Sequence, residues 1–301
     1  MNDAILPWKR EPMSKTTPQS GDAIAWTSSA LNNATDIKSS RRSAHQGTHL
    51  LRDLIFILTW RDVKIKYKQS IMGFMWAILM PAIIVGAGML VRVAMSKVSG
   101  NPLTLDHLAS MAVKAVPWAF FVSAIRFATN SLTGNMNLVT KINCPRIAFP
   151  ASAILSSLFD LLIATIPLTA VLAWCGIMFS FELLWVPLLL ALLILLVSGI
   201  GIALAAANLY YRDVKYIVEV ILTFAIFFTP VLYEADMLGE WRFWILLNPI
   251  APLLEGLRSA VVLQSPPDLG WLTYSAVVSV LVFAGSWRLF RRLEPTFADN
   301  I

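Results

Sequence analysis

The chain has 301 residues, of which 57% are hydrophobic and only 14% are charged. A typical soluble protein carries about 25% charged residues. The composition, with a mean hydropathy of +0.67, argues against a soluble core and favours a protein that crosses a membrane several times. Two cysteines, Cys144 and Cys175, supply neither a disulfide framework nor the spacing of a metal site.

The first 46 residues differ in composition from the rest of the chain. They are rich in Ser, Thr, Asn and Pro, and they lack the apolar core of a secretory signal. We expect residues 1–46 to form a disordered cytoplasmic tail, because so polar a segment cannot bury enough apolar surface to fold. A membrane domain then covers residues 47–292.

An amphipathic helix is predicted over residues 49–70. Leu and Ile recur at helical spacing from Leu50 to Leu58, and charge accumulates just before the first apolar stretch. This pattern is typical of a helix that lies in the cytoplasmic headgroup plane. The alternative is a positively charged flank with no further role. The residues concerned are Arg61, Asp62, Lys64, Lys66, Tyr67 and Lys68.

Apolar stretches of about 20 residues are long enough to cross a bilayer as helices. They predict six spans, at about residues 73–95, 116–138, 148–177, 183–211, 217–233 and 269–289. Between the last two, Phe243–Leu254 is apolar but is broken by Pro249 and Pro252, and it is too short to cross. We expect short re-entrant helices there. The predicted fold is an all-α polytopic membrane protein.

The distribution of basic residues predicts the orientation. Most of the 24 Lys and Arg residues fall in the N-terminal region, in alternate loops and near the C-terminus. Loops rich in Lys and Arg stay in the cytoplasm. Both termini are therefore expected to be cytoplasmic, with residues 293–301 as a C-terminal tail.

Two charges interrupt the predicted spans, Arg126 in the second and Asp160 in the third. Charged residues at such depth usually face the protein interior and pair with one another. Both residues lie at similar distances from the loop that joins their spans. The sequence therefore predicts an intramembrane ion pair between them.

Four stretches together resemble the permeases of type 2 ABC transporters that export polysaccharides. The first is "RDVKIKYKQSIMGFMWAILMP" (Arg61–Pro81), and the others are Val116–Pro150, Ala207–Tyr233 and Leu246–Val261. The resemblance covers about residues 50–292. It implies a homodimer of six-span subunits in the bacterial inner membrane, assembled with two copies of an ABC ATPase.

The ATPase must be another chain, because this sequence contains no G-x-x-x-x-G-K-[ST] phosphate loop. The glycine-rich "GIGIA" at Gly199 lies inside a predicted span, where small residues allow close helix packing. We therefore expect no cofactor in this chain, with ATP and Mg²⁺ bound by the partner. No catalytic or metal-binding residues are predicted.

The resemblance also indicates where the ATPase would make contact. Similar permeases place a short coupling helix in the loop after the second span, and here two prolines bracket that loop. The alternative is an ordinary loop between spans. The predicted coupling residues are Lys141, Asn143, Pro145, Arg146 and Phe149.

A sugar path would be lined by aromatic rings, which can stack on the apolar faces of sugar rings without fixing the polymer. An aromatic belt at the membrane interface is the alternative for any one of these residues. The candidates for the path are Trp118, Phe121, Phe127, Phe227, Phe228, Tyr233 and Trp244.

The predicted function is export of a lipid-linked polysaccharide, with O-antigen preferred, by a protein in contact with membrane lipids. The alternatives are a capsule exporter, a drug or lipid exporter and, remotely, a membrane-embedded sugar transferase. A transferase would need clustered acidic residues, and only Glu234–Asp236 has a comparable spacing. Nucleic-acid binding is not expected, because the basic residues follow the predicted cytoplasmic face of the membrane.

Overall fold

The structure is a computed structural model that describes residues 51–68, 73–99, 104–141, 145–177 and 179–298. The described residues form helices joined by turns and contain no β-strand. The predicted tail over residues 1–46 lies outside them.

The helices have uneven lengths, and the longest ones carry the apolar stretches of the sequence. Short 3-10 helices occupy several of the turns. The α-helices of the described residues are α1 over 51–68, α2 (Met75–Ser99), α3 (Leu105–Asn130), α4 (Met136–Lys141), α5 (Ala148–Trp174), α6 (Trp185–Tyr210), α7 (Val214–Ala225), α8 (Arg242–Leu246), α9 (Ile250–Val261) and α10 (Leu269–Leu293).

Five helices among the described residues are long and apolar enough to cross a membrane, namely α2, α3, α5, α6 and α10. This confirms an all-helical, multi-pass protein. The prediction for the second span was displaced, because α3 begins at Leu105 and ends at Asn130. Lys114, which precedes the predicted span at residues 116–138, lies inside α3 and is 1% exposed.

The predicted fifth span, residues 217–233, does not form one long helix. Helix α7 has 12 residues, and after a 3-10 turn the backbone becomes extended at Thr229. Pro230 explains this break, because a proline disfavours helical geometry in the residue before it. A 12-residue helix rises about 18 Å, whereas the hydrocarbon core is about 30 Å thick. The six-span topology is therefore not confirmed.

Helix α3 is the centre of the bundle. It packs against α2, α5, α6 and α9, and most of its residues are buried. Helix α6 packs along α10 on its other side. Helix α2 is mostly exposed. The bundle thus has one well-covered core around α3 and α6 and a less covered flank at α2.

Two glycines in α6 permit close approach of its neighbours. A Cβ at Gly199 would lie 2.8 Å from the backbone nitrogen of Phe283 in α10. A Cβ at Gly201 would lie 2.9 Å from the Cβ of Ala128 in α3. The "GIGIA" stretch therefore allows close helix packing, as its sequence predicted.

One end of the bundle, here called the α1 end, is formed by α1, the start of α5 and the segment after α10. Leu58, Phe149, Phe290 and Phe297 are buried there in one apolar cluster. Phe297 is 0% exposed and its ring contacts Phe290 with a centroid distance of 5.3 Å. The predicted tail over 293–301 is therefore packed against the bundle at least as far as Phe297.

The opposite end, here called the α9 end, contains α8, α9 and the turns around them. Ala235, Leu246 and Ala251 form a small apolar cluster. The carboxylate of Asp268 begins α10 by accepting hydrogen bonds from the backbone N–H groups of Gly270 and Trp271. The re-entry of α8 and α9 into a membrane stays a prediction.

The close contact of α6 with α10 can be tested by Gly199→Ala. The added methyl group would meet backbone atoms of Phe283, which cannot rotate away, and overpacking of this kind costs about 1–3 kcal/mol. We expect a lower melting temperature in detergent. Gly285→Ala on α10 is the control, because no atom lies within 4 Å of its Cβ position. Equal melting temperatures for the two variants would contradict the packing argument.

Candidate functional site

A cavity of about 420 Å³ lies between α1, α2, α3, α5 and α7, and we call it the α2–α3 cavity. Its walls are mainly apolar and aromatic, and its charged groups gather toward the α1 end. The principal lining residues are Lys66, Tyr67, Trp76, Met80, Pro81, Ile84, Val116, Trp118, Phe120, Ser123, Arg126, Phe127, Asp160, Leu161, Leu222, Thr223 and Ile226.

A smaller cavity of about 270 Å³ adjoins it toward the α1 end. Asp62, Asn130 and Asn135 give this second cavity polar walls. Lys66 and Phe127 line both cavities, and the Lys66 ammonium lies 4.2 Å from the centroid of the Phe127 ring. These two side chains therefore form a wall that the two cavities share.

Asp160 anchors α1 to α5. Its Oδ2 accepts a hydrogen bond from Lys66 Nζ at 2.6 Å, and its Oδ1 accepts one from the Tyr67 hydroxyl. Burial, and then the hydrogen bond to Asp160, raises the pKa of Tyr67, so the phenol stays protonated and keeps its donor role. One carboxylate thus fixes two consecutive residues of α1.

Arg126 is paired with Glu219 of α7, not with Asp160 as the sequence predicted. Arg126 Nε and Nη2 donate to the two carboxylate oxygens of Glu219 at 2.6 and 2.7 Å. Such a bidentate arrangement gives a strong and directional ion pair. The sequence prediction considered only the loop that joins the second and third spans. In the structure the partner of Arg126 comes from α7, and the partners of Asp160 come from α1. Both side chains of the observed pair are 42% exposed.

The aromatic residues predicted to line a path separate into three groups. Trp118 and Phe127 line the α2–α3 cavity. Trp118 and Phe121 are both buried, at 2% and 6% exposure, and their rings stack with a centroid distance of 5.4 Å, so little of the Trp118 ring is open to the cavity. The others do not line this cavity: Phe227, Phe228 and Trp244 are exposed, and Tyr233 is half-buried with its hydroxyl donating to the carbonyl of Phe227.

The predicted coupling residues are only partly brought together. The Arg146 backbone N–H donates to Glu294 Oε1 at 3.0 Å, and its guanidinium donates to the Glu294 carbonyl. Phe149 is buried in the α1-end core and cannot itself contact a partner. Pro145 precedes the turn into α5 and is described, whereas Asn143 and the side chain of Lys141 lie outside the described residues.

The charged residues of α1 also divide by position. Arg61 donates to Asp62 and to the side-chain oxygen of Asn135 at 2.9 Å, which ties α1 to the turn before α4. Lys64 and Lys68 are exposed. Only part of the charged run is therefore free to face lipid headgroups or a partner.

Sequence reasoning missed a second charged cluster, here called the Lys114 cluster. Lys114 Nζ donates to Glu255 Oε1 at 3.1 Å, and Arg258 contacts both Glu255 and Glu234. The spacing of Glu255 and Arg258, three residues apart, was a signal that both lie on one face of a helix. Lys114 within an apolar run was another.

No three His, Cys, Asp or Glu side chains converge as a metal site would require in the part of the chain that the structure describes. The cavities therefore offer aromatic surface, hydroxyl and amide groups and paired charges.

A multi-pass bundle with an open, aromatic cavity is the architecture of a membrane transporter, and the family comparison agrees. Residues 53–262 match the model of the ABC-2 type transporter family, so the chain belongs to that family. It is 26% identical over 254 residues to the O-antigen export system permease protein RfbA of Myxococcus xanthus. This match covers 83% of this chain and 96% of that protein. A Klebsiella pneumoniae protein of the same name is 26% identical over 258 residues, with 83% and 95% covered.

Replacement of Asp160 tests the attachment of α1. Asp160→Ala would leave Lys66 and Tyr67 without their shared acceptor, and a hydrogen bond to a charged group is worth about 1.5–3 kcal/mol. We expect faster amide hydrogen exchange over residues 63–68, measured by mass spectrometry. Lys64→Ala, at an exposed position of the same helix, is the control and should leave exchange unchanged. Exchange that is equally slow in both variants would show that Asp160 does not anchor α1.

Proposed function

We propose that this chain is the permease subunit of an ATP-driven exporter that moves O-antigen polysaccharide across the bacterial inner membrane. The observation that carries the proposal is its similarity to permeases of that name over 83% of the chain, together with its ABC-2 family membership. The α2–α3 cavity supports it, because its walls have the chemistry that a sliding sugar chain needs.

The polymer would run along the aromatic wall of the α2–α3 cavity. Trp76 and Phe127, which are 46% and 43% exposed, offer flat apolar surfaces to the C–H faces of sugar rings. Ser123 and Thr223 offer hydroxyl groups to the sugar hydroxyls. Stacking contacts of this kind tolerate movement along the chain, because they do not depend on one hydrogen-bond register.

A second copy of this chain is proposed to face α2 and α7. The Arg126–Glu219 pair is 42% exposed on that side, and charges that face hydrocarbon are costly. Helix α7 also exposes a row of large apolar side chains there, Tyr216, Ile217, Val220, Ile221 and Phe224. A second copy would cover the charged pair and enclose the cavity as one half of a shared path.

The ATPase is proposed to bind at the α1 end, which the basic residues of the sequence assign to the cytoplasm. The turn that precedes α5 lies there, and Glu294 holds its Arg146 in place. A lever must be rigid to transmit motion, and this bond supplies rigidity to the turn that opens α5. Arg212, Arg291 and Arg292 are exposed and basic.

The proposed function is tested by reconstitution with a candidate ATPase and by gene deletion. The purified chain alone should hydrolyse no ATP, because its sequence lacks a phosphate loop. Deletion should remove surface O-antigen and leave lipid-linked polymer on the inner leaflet, and the intact chain should restore export. Surface O-antigen that persists after deletion would contradict the proposal that O-antigen is the substrate. ATP turnover by the chain alone would contradict the proposal that a separate subunit hydrolyses ATP.

Charge reversal tests whether the Arg126–Glu219 pair is an element of the path wall. Arg126→Glu places two like charges together and should lower protein abundance and export. The double variant Arg126→Glu/Glu219→Arg should recover both, because it restores the attraction with opposite sign. Surface polymer and membrane abundance are measured together. Recovery of abundance without export would instead assign Arg126 a direct contact with an anionic part of the substrate.

A further inference from the structure

The segment between α7 and α8 has little regular structure of its own. It contains the extended Thr229, a turn, and a 3-10 helix over Ala235–Trp241 in which Gly239 has a φ of +51°. A segment without a long helix cannot hold its position by internal hydrogen bonds. Its placement at the α9 end must therefore come from contacts with its neighbours.

The Lys114 cluster supplies those contacts. Lys114 Nζ donates to the Tyr233 carbonyl at 2.6 Å, and Glu255 Oε1 accepts from the Ala235 backbone N–H at 3.3 Å. Arg258 Nη2 donates to Glu234 Oε2 at 2.9 Å. Three consecutive residues of the segment are thus held from α3 and from α9 by charged side chains.

The held segment lies just beyond the α2–α3 cavity. Along α3 the cavity lining begins at Val116, and Lys114 is the next polar residue toward the α9 end. A Cβ at Gly88 of α2 would lie 3.0 Å from Met111 Sδ and 3.2 Å from Leu232 Cδ2. Helices α2 and α3 and the segment therefore meet in a tight apolar contact about one helical turn beyond the end of the cavity lining on α2.

Charge is not needed merely to fill this site. Lys114 is 1% exposed and the side chain of Glu255 is 15% exposed. Replacement of a buried ion pair by well-packed apolar residues is often neutral or stabilising, so a permanent structural plug would work as well without charge. An ion pair, however, gives a contact with a defined geometry that can be broken and re-formed.

We propose that Lys114 is a positioning residue for transport that holds residues 232–236 across the far end of the α2–α3 cavity. That end opens when the bonds from Lys114 to Tyr233 and Glu255 break, and it closes when they re-form. This inference rests on the proposed function in so far as the cavity is the transport path. It adds the element that closes one end of the path and the residue that controls it.

Cysteine labelling in membranes tests the proposal. The parent chain carries Ala119→Cys on the cavity wall, with Cys144 and Cys175 replaced by serine. A membrane-impermeant maleimide is added to intact cells and, separately, to inside-out vesicles. With Lys114→Met, labelling from the α9 side should become about tenfold faster or more, the shift expected when a hydrogen bond to a charged group is lost. Lys114→Arg keeps donors and charge and should stay nearer the parent rate.

Two controls make the result interpretable. Met237→Cys is exposed on the segment itself, so the preparation in which it reacts identifies the α9 side. Glu240→Gln removes a charge from an exposed residue of the same segment outside residues 232–236, and it should leave Ala119→Cys labelling unchanged. If Lys114→Met does not assemble, Glu255→Gln weakens one of the two bonds of Lys114 while the bond to Tyr233 remains, and a smaller increase is expected.

Unchanged labelling of Ala119→Cys in an assembled Lys114 or Glu255 variant, with Met237→Cys reactive, would overturn the proposal. Such a result would show that the Lys114 cluster is a fixed structural contact. Surface polymer is measured in the same cells. If the proposed substrate is wrong, no variant will show a defect in surface polymer. The labelling rates would still decide whether Lys114 holds the cavity end closed.

Discussion

A charge among apolar helices is stable only when an opposite charge or a hydrogen-bonding partner reaches it, and this constraint organises the bundle. Each of three shorter helices is attached to a long one by an ion pair. Lys66 and Asp160 join α1 to α5, Arg126 and Glu219 join α3 to α7, and Lys114 and Glu255 join α3 to α9. The long helices could associate through apolar packing and small residues alone. The shorter ones have less apolar surface, so their positions depend more on these pairs.

The same pairs surround the cavity. The first two lie at its α1 side and the third lies beyond its opposite end. Between them the walls are aromatic and aliphatic, which leaves a surface with few fixed hydrogen-bonding positions. The interior of this transporter domain therefore combines strongly directional contacts at its ends with weakly directional contacts along its length.

Hydropathy predicted the positions of long helices such as α5 and α6, but it did not predict which charged residues pair between helices. The start of α5 at Ala148 and the position of α6 followed directly from apolar length, which is a local property. The ion pairs join residues far apart in sequence, such as Lys66 and Asp160 or Arg126 and Glu219. Nothing local predicts which helix supplies the partner. For the same reason the sequence did not predict the ion pair of Lys114, because its partner Glu255 lies in α9.

The aromatic residues show a finer limit. Phe127 lines the cavity and is 43% exposed, whereas Phe121 on the same helix is buried against Trp118. Composition and spacing identified the right helix and the right residue types. The rotation of that helix about its axis, which decides which ring meets the cavity, depends on packing against α2, α5 and α6 together.

The bond between Arg146 and Glu294 has a consequence for biogenesis. Translation delivers the turn that opens α5 well before α10, whereas Glu294 and the buried Phe297 follow α10. A nascent chain that has just completed Leu293 already contains all five long apolar helices. Its α1 end nevertheless lacks the acceptor for Arg146 and the ring that closes the core there. The five long helices can thus insert into the membrane before this surface is complete, and the residues that follow α10 determine when it is ready for assembly.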